Sequence, residues 1–297
     1  MPLPLLRPVR DCEEDAETVR LLREAAFGDR RALRGAPPGP APDTPAEAAG
    51  PAEAAGPAFR RAKIRHLART DPAGSWLAED ASGRALGAAQ AVRREGTWGL
   101  SLLVVLPGAQ GKGVGTALLG RALEYGRSCL RGVICASEHP AAVRGYRRAG
   151  FDVHPALSLR GPVSHAGLTA PDGAAVAGTA RDRDLLDSVD RRLRGGAHGP
   201  DHELLVRHHR LVVADDLAGS GYCYVRENGR VELLAATSRR IAARVLTAAL
   251  LGLPEGAGAE VRNVAGDQQW ALDVGLAAGL AARPEGFLCL RGMRPPA

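Results

Sequence analysis

Apolar positions in the first half of the chain alternate between strand and helix spacing. The segment LSLLVVL, residues 100–106, is an apolar run ended by Pro107 and Gly108. It predicts a buried strand, because proline cannot continue a hydrogen-bonded ladder. The following segment TALLGRALEYG, residues 116–126, carries apolar residues at helical spacing. A glycine-rich turn therefore joins a predicted strand to a predicted helix.

The flanking segments extend this pattern into a complete order of elements. Helices are predicted at residues 15–28, 59–71 and 138–151 by apolar periodicity. Strands are predicted at 75–80, at both arms of a hairpin within 85–106, at 132–137 and at 152–161. With an opening strand near residue 3, the order is β, α, α, β, β, β, α, β, α, β, which indicates an α/β fold.

Residues 34–57 differ from the rest in composition. The hexapeptide PAEAAG occurs at 45–50 and again at 51–56, within a segment rich in proline, alanine and glycine. Such a segment has too few large apolar residues to pack a core, and we interpret it as a mobile low-complexity insertion. A tolerated spacer and a lid over a substrate are both open.

The second half repeats part of the first. A hairpin motif recurs at an offset of 133 positions, pairing the residues Val92, Arg93 and Gly96 with Val225, Arg226 and Gly229. Self-similarity at a constant offset predicts a duplicated domain. In the second copy ATSRR, residues 236–240, replaces the glycine-rich turn. Aligning Gly275 with Gly150 sets Ala271 opposite Tyr146, so the duplicate is expected to be degenerate.

Composition and charge narrow the function classes. The net charge of +6 permits an acidic ligand, but the basic residues are spread along the chain, and no nucleic-acid partner is expected. The five cysteines are scattered, which favours reduced thiols over disulfides or a zinc site. No apolar run reaches the ~18 residues that a membrane span needs. The N-terminus does not have the pattern of a signal peptide, and we expect a cytoplasmic protein.

The glycine-rich turn is the strongest candidate for ligand binding. Glycines at 108, 111, 113 and 115 let backbone N–H groups converge on an anion, and the helix N-terminus adds a positive partial charge. A nucleotide-binding P-loop is excluded because Lys112 precedes Gly113 and no serine or threonine follows it. A dinucleotide fingerprint is excluded because Thr116 stands where the third glycine belongs.

The hexapeptide QGKGVG at 110–115 matches the pattern Q/R-x-x-G-x-G/A, and on it the chain resembles the GNAT family of acyl-CoA-dependent N-acetyltransferases. The resemblance implies that this turn binds the pyrophosphate of acetyl-CoA and that the preceding strand binds its pantetheine arm. The implied binding residues are Leu103, Val104, Val105, Gln110, Gly111, Lys112, Gly113, Val114, Gly115 and Thr116.

A second motif supports the resemblance. HPAAVRGYRRAGF, residues 139–151, matches the family pattern N-x-x-A-x-x-x-Y-x-x-x-G-F except that His139 replaces asparagine. The resemblance implies that Tyr146 is the general acid that protonates the departing thiolate, and that His139 stands at a position contacting the pantetheine arm. A tyrosine that only packs a helix on the sheet is the alternative.

Two features stay open at the level of the sequence. The candidates for a general base are Glu79, Glu95, Glu138, His66 and His139, and a water relay needs none of them. The segment 198–209 holds four histidines, with an i, i+4 pair that could bind a metal. A polar helix face is the favoured interpretation of that pair, and no metal is predicted.

We therefore predict an α/β protein with two tandem GNAT-like domains, each a mixed, mainly antiparallel sheet flanked by helices. Residues 1–161 are the predicted catalytic domain, with 34–57 inserted, and residues 162–297 the degenerate one. The predicted reaction is acetyl transfer from acetyl-CoA to a primary amine of a small molecule or peptide by direct attack. A non-catalytic acyl-CoA-binding or interaction protein is the alternative. The acceptor and the oligomeric state are open.

Overall fold

The computed structural model describes residues 4–33 and 51–296. The low-complexity insertion predicted at 34–57 lies mostly outside the described residues. Its last part, from residue 51, is the beginning of a helix that continues to Thr70. The sequence predicted this helix only from residue 59, because the alanine-rich repeat before it carries no amphipathic pattern.

Two series of elements follow one another along the chain. The first series, called the first copy below, consists of β1 (Leu5–Pro8), α1 (Glu13–Leu33), α2 (Pro51–Thr70), β2 (Ser75–Glu79), β3 (Ala85–Arg94), β4 (Thr97–Val105), α3 (Val114–Tyr125), β5 (Arg131–Ala136), α4 (Pro140–Arg148) and β6 (Asp152–Pro162). The second series, the second copy, consists of β7 (Val176–Ala177), α5 (Arg183–Arg194), α6 (Asp201–His208), β8 (Arg210–Asp216), β9 (Gly219–Val225), β10 (Val231–Ala236), α7 (Arg239–Leu251), β11 (Gly258–Ala265), α8 (Gln269–Ala277) and β12 (Ala281–Arg291).

Both copies have the order β, α, α, β, β, β, α, β, α, β. The predicted fold class is confirmed: the chain is an α/β protein with a tandem arrangement of GNAT-like element series. The domain boundary between residues 161 and 162 stays a prediction. The described chain divides by compactness into unit 1, which holds residues up to 93 and 99–128, and unit 2, which holds 94–98 and everything from 129 onward.

Unit 1 is built on antiparallel strands in the order β1, β2, β3, β4. Leu6 of β1 lies opposite Ala78 of β2, and Leu77 lies opposite Ala88 of β3. Helix α1 buries one face, since its apolar residues recur every three or four positions. The buried core of unit 1 consists of Val9, Ala16, Val19, Leu22, Ala26, Ile64, Ala68, Leu77, Ala88 and Val104.

Unit 2 contains an exchange of strands between the two copies. The order of strands is β5, β12, β6, β11, so β12 of the second copy lies between two strands of the first. Leu290 of β12 pairs with Val133 of β5, and Cys289 pairs with Val153 of β6, all antiparallel. A further sheet runs in the order β10, β9, β8, β7. Helix α7 packs its buried residues Ile241, Val245 and Leu246 into the core of this unit.

Among the described residues, no helix combines the length and the apolar character that crossing a membrane requires.

Candidate functional site

The connection between β4 and α3, residues 106–113, forms an exposed glycine-rich loop in unit 1. Pro107–Ala109 make a short 3-10 turn directly after the strand. Gly111 and Gly113 then adopt φ values of 75° and 83°, in the left-handed region that residues with a Cβ rarely occupy. Gly113 is the N-cap of α3 and offers no side chain to cap the helix. The loop therefore leaves the helix N-terminus uncovered.

The backbone amides from Gly111 to Thr116 are the chemically active part of this loop. Within the described residues, none of these N–H groups donates to a backbone carbonyl or a side chain, and the first amide of the helix with an acceptor is that of Ala117, which donates to Gly113. A Cβ built at Gly108, Gly111 or Gly113 would meet open space. A run of unsatisfied amides at a helix N-terminus favours an anion such as a phosphate.

The two polar side chains of the loop support its backbone. Gln110 Nε2 donates to the Val105 carbonyl at 3.1 Å, and Lys112 Nζ donates to the Gly108 carbonyl at 2.7 Å. Val114 is buried and anchors the first turn of α3, whereas Thr116 is exposed. In β4, Val104 is buried, and the sequence-predicted Leu103 and Val105 are half-buried. All these residues belong to one continuous strand, loop and helix, as the motif required.

A buried aspartate fixes the far end of α3. The Tyr125 hydroxyl donates to Asp71 Oδ1 at 2.9 Å, and the Arg93 amide of β3 donates to the same oxygen at 3.0 Å. The tyrosine ring lies so close to Gly74 that a Cβ there would stand 2.7 Å from it. These contacts hold α3 against its strands, and with it the orientation of the amides at its N-terminus.

Tyr146 lies on α4 in unit 2. Its side chain is buried, and its hydroxyl has no hydrogen-bond partner among the described residues. Burial raises the pKa of Tyr146 to about 12, and the neighbouring Cys289 adds to the increase. The phenol is therefore protonated at neutral pH, the form that a general acid needs.

His139 is the N-cap of α4, with an extended backbone at φ −65° and ψ 117°. Its carbonyl accepts the Val143 amide at 3.1 Å, which begins the helix, and Pro140 occupies the first helical position. Proline is favoured there because an amide at that position has no partner within the helix. The histidine replaces the family asparagine without disturbing the start of the helix.

The geometry reduces the set of possible general bases. Arg191 binds both carboxylate oxygens of Glu95, and the Ala197 amide donates to one of them at 3.0 Å. These hydrogen bonds lower the pKa of Glu95 to about 2, so it is too weak a base to deprotonate an ammonium ion near neutral pH. Glu79 is paired with Arg7 at 2.8 Å. His66 is buried, which leaves Glu138 and His139 as the more accessible candidates.

The corresponding connection in the second copy has lost the loop. Only Thr237 and Ser238 separate β10 from α7. The Ser238 hydroxyl oxygen accepts the Ile241 amide at 3.3 Å and caps the helix. A side chain thus occupies the helix N-terminus that is bare in α3, which agrees with the expected degeneracy.

The sequence alignment placed Ala271 of the second copy opposite Tyr146, and this placement is wrong by one helical turn. Gly150 and Gly279 both follow a helix directly, with φ values of 82° and 79°, so these two glycines are equivalent. The residue directly before each strand repeats this match, since the Phe151 amide donates to the Tyr146 carbonyl and the Leu280 amide donates to the Gly275 carbonyl. Gly275, rather than Ala271, therefore stands opposite Tyr146. Neither alignment places a tyrosine at this position of α8.

The histidines of the second copy also differ from their sequence interpretation. His198 precedes α6, which begins at Asp201, and His202 is buried, so the pair does not form a polar helix face. Both rings instead hydrogen-bond Asp190 of α5. Sequence reasoning missed Asp190. The residue could have been found from its position, because it is an aspartate on the apolar face of a helix, beside the buried residues Leu186 and Val189.

Residues 43–151 match the family model described as "Acetyltransferase (GNAT) family". No curated protein sequence matches the chain significantly. Among solved structures, a putative acetyltransferase from Pyrococcus horikoshii aligns with 99% of this chain and 91% of its own, at 17% identity and a TM-score of 0.73.

Two further structures have the same fold over the whole chain. A GCN5-related N-acetyltransferase from Sphaerobacter thermophilus covers 98% of this chain and 97% of its own, at 14% identity and a TM-score of 0.57. A tandem GNAT protein from the clavulanic acid biosynthesis pathway covers 98% of this chain and 99% of its own, at 14% identity and a TM-score of 0.55. At these identities the likeness shows the fold, and the family match identifies residues 43–151 as similar to the GNAT acetyltransferases.

Proposed function

We propose that this GNAT acyltransferase transfers the acetyl group of acetyl-CoA to a primary amine of a small molecule or peptide, in the cytoplasm. The observation that carries the proposal is the run of free amides from Gly111 to Thr116 at the N-terminus of α3. A pyrophosphate accepts several N–H donors at once and is stabilised by the positive end of the helix. The open space above the glycines leaves room for it.

The proposed reaction is a direct attack of the neutral amine on the thioester carbonyl. A carbon–nitrogen bond forms, the carbon–sulfur bond breaks, and the sulfur leaves as a thiolate. Tyr146 gives its phenolic proton to that thiolate, and the proton lost by the amine later restores the phenol. The raised pKa of Tyr146 keeps the phenol protonated at neutral pH, so its proton is present when the thiolate develops.

The pantetheine arm is assigned to Leu103, Val104 and Val105 of β4, and His139 is assigned to the same part of the donor. Both assignments rest on the family motifs. Backbone carbonyl and amide groups of β4 hydrogen-bond the amide groups of the pantetheine arm. The half-buried side chains of Leu103 and Val105 cover the apolar part of that arm. The acceptor amine loses its proton to Glu138, to His139 or to water.

The proposal is tested by calorimetric titration of the full chain with acetyl-CoA, comparing Gly115→Glu with Gly120→Glu. Both glycines lie on α3, and neither has a positive φ, so a glutamate fits the backbone at both positions. At position 115 the added carboxylate stands in the first turn, among the free amides, and repels a phosphate. At position 120 it lies in open space, about one and a half turns further along the helix, and is exposed.

We expect one acetyl-CoA site per chain, weakened at least about 100-fold by Gly115→Glu and unchanged by Gly120→Glu. A glutamate in the first helical turn is favourable for the helix, so lost binding would not arise from unfolding. Equal affinity of the two variants would reject the loop as the phosphate site. Binding without turnover on any amine would instead support the acyl-CoA-binding alternative.

A further inference from the structure

The second copy contains a compact cluster of metal-ligating atoms in unit 2. Asp190, His198 and His202 each offer one ligand atom, and these atoms lie within 4.8 Å of one another. Asp190 Oδ2 is 2.6 Å from His198 Nδ1 and 3.1 Å from His202 Nε2. Asp190 and His202 are buried, and His198 is half-buried. Three different elements contribute: α5, the loop before α6, and α6 itself.

We propose that Asp190, His198 and His202 bind a divalent transition-metal ion, with Zn²⁺ as the ion that fits best, at a site in the second copy. Imidazole nitrogen and carboxylate oxygen are ligands that zinc accepts. Zinc bonds of about 2.0–2.2 Å in a tetrahedron place ligand atoms about 3.3 Å apart. The observed separations of 2.6 Å and 3.1 Å reach that spacing through small rotations of the side chains.

The groups around the cluster hold the ligands as a metal site requires. The Tyr222 hydroxyl donates to Asp190 Oδ1 at 2.5 Å, which leaves Oδ2 for the ion. The Tyr224 hydroxyl is 3.2 Å from His202 Nδ1, the ring nitrogen that does not face the ion. Outer hydrogen bonds of this kind orient metal-bound carboxylates and histidines. Neither tyrosine belongs to the proposed transferase chemistry of the first copy.

The two ring nitrogens that would bind the ion are the ones that face Asp190. They are His198 Nδ1 and His202 Nε2. A metal-bound imidazole carries its proton on the opposite ring nitrogen, so metal binding would replace two hydrogen bonds to Asp190 with two metal bonds.

A fourth ligand and an entry path are close by. Asp187 Oδ1 is 3.6 Å from His202 Nε2 and accepts the Gly199 amide at 3.0 Å. In the proposed site, a water molecule or Asp187 would complete four-fold coordination. A small surface pocket is lined by His202 and Tyr224 together with Thr179, Arg183 and Glu203.

The test uses the full chain stripped of metal and titrated with Co²⁺ and Zn²⁺. We expect one ion per chain, a visible d–d absorption band of the cobalt form, and displacement of cobalt by zinc. Asp190→Asn and His198→Gln should each weaken binding by more than about 100-fold. Tyr224→Phe, which removes only the outer hydrogen bond of His202, should weaken it by about 10–100-fold. His208→Gln removes an exposed histidine of the same helix and should leave the affinity unchanged.

Folding of each variant is checked by far-ultraviolet circular dichroism without metal, and His198→Gln, at the half-buried ligand, is the variant least prone to misfold. Two results would overturn the proposal: a wild-type chain that takes up no ion, or an affinity that the ligand variants and His208→Gln change equally. In either case the cluster is a hydrogen-bonded network that joins α5, α6 and β9. The readouts are independent of acetyl transfer, so they do not depend on the proposed reaction.

Discussion

The two copies differ most where a strand passes into a helix. In the first copy, eight residues from Leu106 to Gly113 separate β4 from α3, and glycines leave the helix amides bare. In the second, Thr237 and Ser238 alone separate β10 from α7, and a serine caps the helix. The order of elements is the same in both. The scaffold therefore persists without the loop that carries the proposed anion site, because the strand and the helix do not depend on it.

The second difference concerns the helix after the next strand. Tyr146 of α4 has an unpartnered hydroxyl, whereas Gly275 occupies the equivalent position of α8. A Cβ at Gly275 would approach Leu159 of β6 to 2.6 Å. In the second copy a side chain at this position would require the Leu159 side chain to shift. The second copy has close packing where the first has Tyr146.

The largest effect should come from removing one hydroxyl in each copy. Tyr146→Phe should lower kcat by about 10²–10⁴-fold, equivalent to about 3–5 kcal/mol, with little change in the affinity for acetyl-CoA. Tyr222→Phe should leave kcat unchanged but lower the free energy of unfolding by about 1–3 kcal/mol, because it removes the hydroxyl that donates to Oδ1 of the buried Asp190. Steady-state kinetics and urea denaturation measure the two quantities. Full activity of Tyr146→Phe would remove its assigned role.

The packing difference can be tested by adding one methyl group. Gly275→Ala should lower the free energy of unfolding by about 1–3 kcal/mol, since the new Cβ collides with Leu159. Gly120→Ala on α3 meets open space and should raise it by up to about 1 kcal/mol through helix propensity. Thermal and urea unfolding provide the measurement. A stabilising Gly275→Ala would show that α8 can move away from the sheet.

Acid sensitivity between pH 6.5 and 4 is expected from His209 in the second copy, and alkaline sensitivity from buried tyrosines of both copies, Tyr146 among them. Burial lowers the pKa of His209 to about 4, while Glu232 acts to raise it and Arg226 to lower it. The folded state then excludes a proton that the unfolded state binds below about 6.5, so stability is present above that pH and falls as the pH decreases from 6.5 to 4. We expect a loss of about 1–3 kcal/mol over this range.

The variant His209→Gln should flatten the acid limb of the stability profile. At the alkaline end, the raised pKa of Tyr146 predicts that stability falls only as the pH rises from about 10 to about 12, because the unfolded tyrosine ionises first. Tyr146→Phe removes that contribution. Urea denaturation across this pH range distinguishes the two limbs, and an acid limb unaffected by His209→Gln would assign the acid loss to other groups.

The smallest effect is expected at the helix caps. Ser238→Ala removes the side chain that accepts the Ile241 amide and should cost about 0.5–2 kcal/mol of unfolding free energy. Ser238→Asp keeps an accepting oxygen and should recover most of that loss. The first copy has no side chain at Gly113 to lose. An unchanged stability of Ser238→Ala would mean that water caps α7 as well as serine does.

Local patterns in the sequence were sufficient for the order of elements and for the position of the glycine loop. Both features are set by residues that are close together in the sequence. The apolar spacing marks the strands and helices, Pro107 marks the end of a strand, and glycines precede α3. The GNAT resemblance and the acyltransferase class, both drawn from these motifs, are confirmed. The assigned site residues stay predictions, and the Gly115→Glu and Tyr146→Phe variants test them.

Features that depend on contacts between distant residues were missed. The segment from Gly275 to Gly279 offers two glycines, and only the backbone angle after α8 shows which one is equivalent to Gly150. The pairing of His198 and His202 follows from Asp190, which lies across a loop and has no sequence spacing of its own. The place of β12 between β5 and β6 is likewise a non-local pairing that no periodicity predicts.

The insertion of β12 between β5 and β6 has a consequence for synthesis on the ribosome. The two strands of the first copy cannot complete their ladders until the segment from Ala281 to Arg291 has been made, long after Pro162. At about 5–20 residues per second, the wait is roughly 6–24 s. During it, the edges of β5 and β6 are exposed to pairing with other nascent chains. Folding of the half that carries Tyr146 is therefore expected to wait for the synthesis of β12, and slow translation of the second copy should increase the need for chaperones.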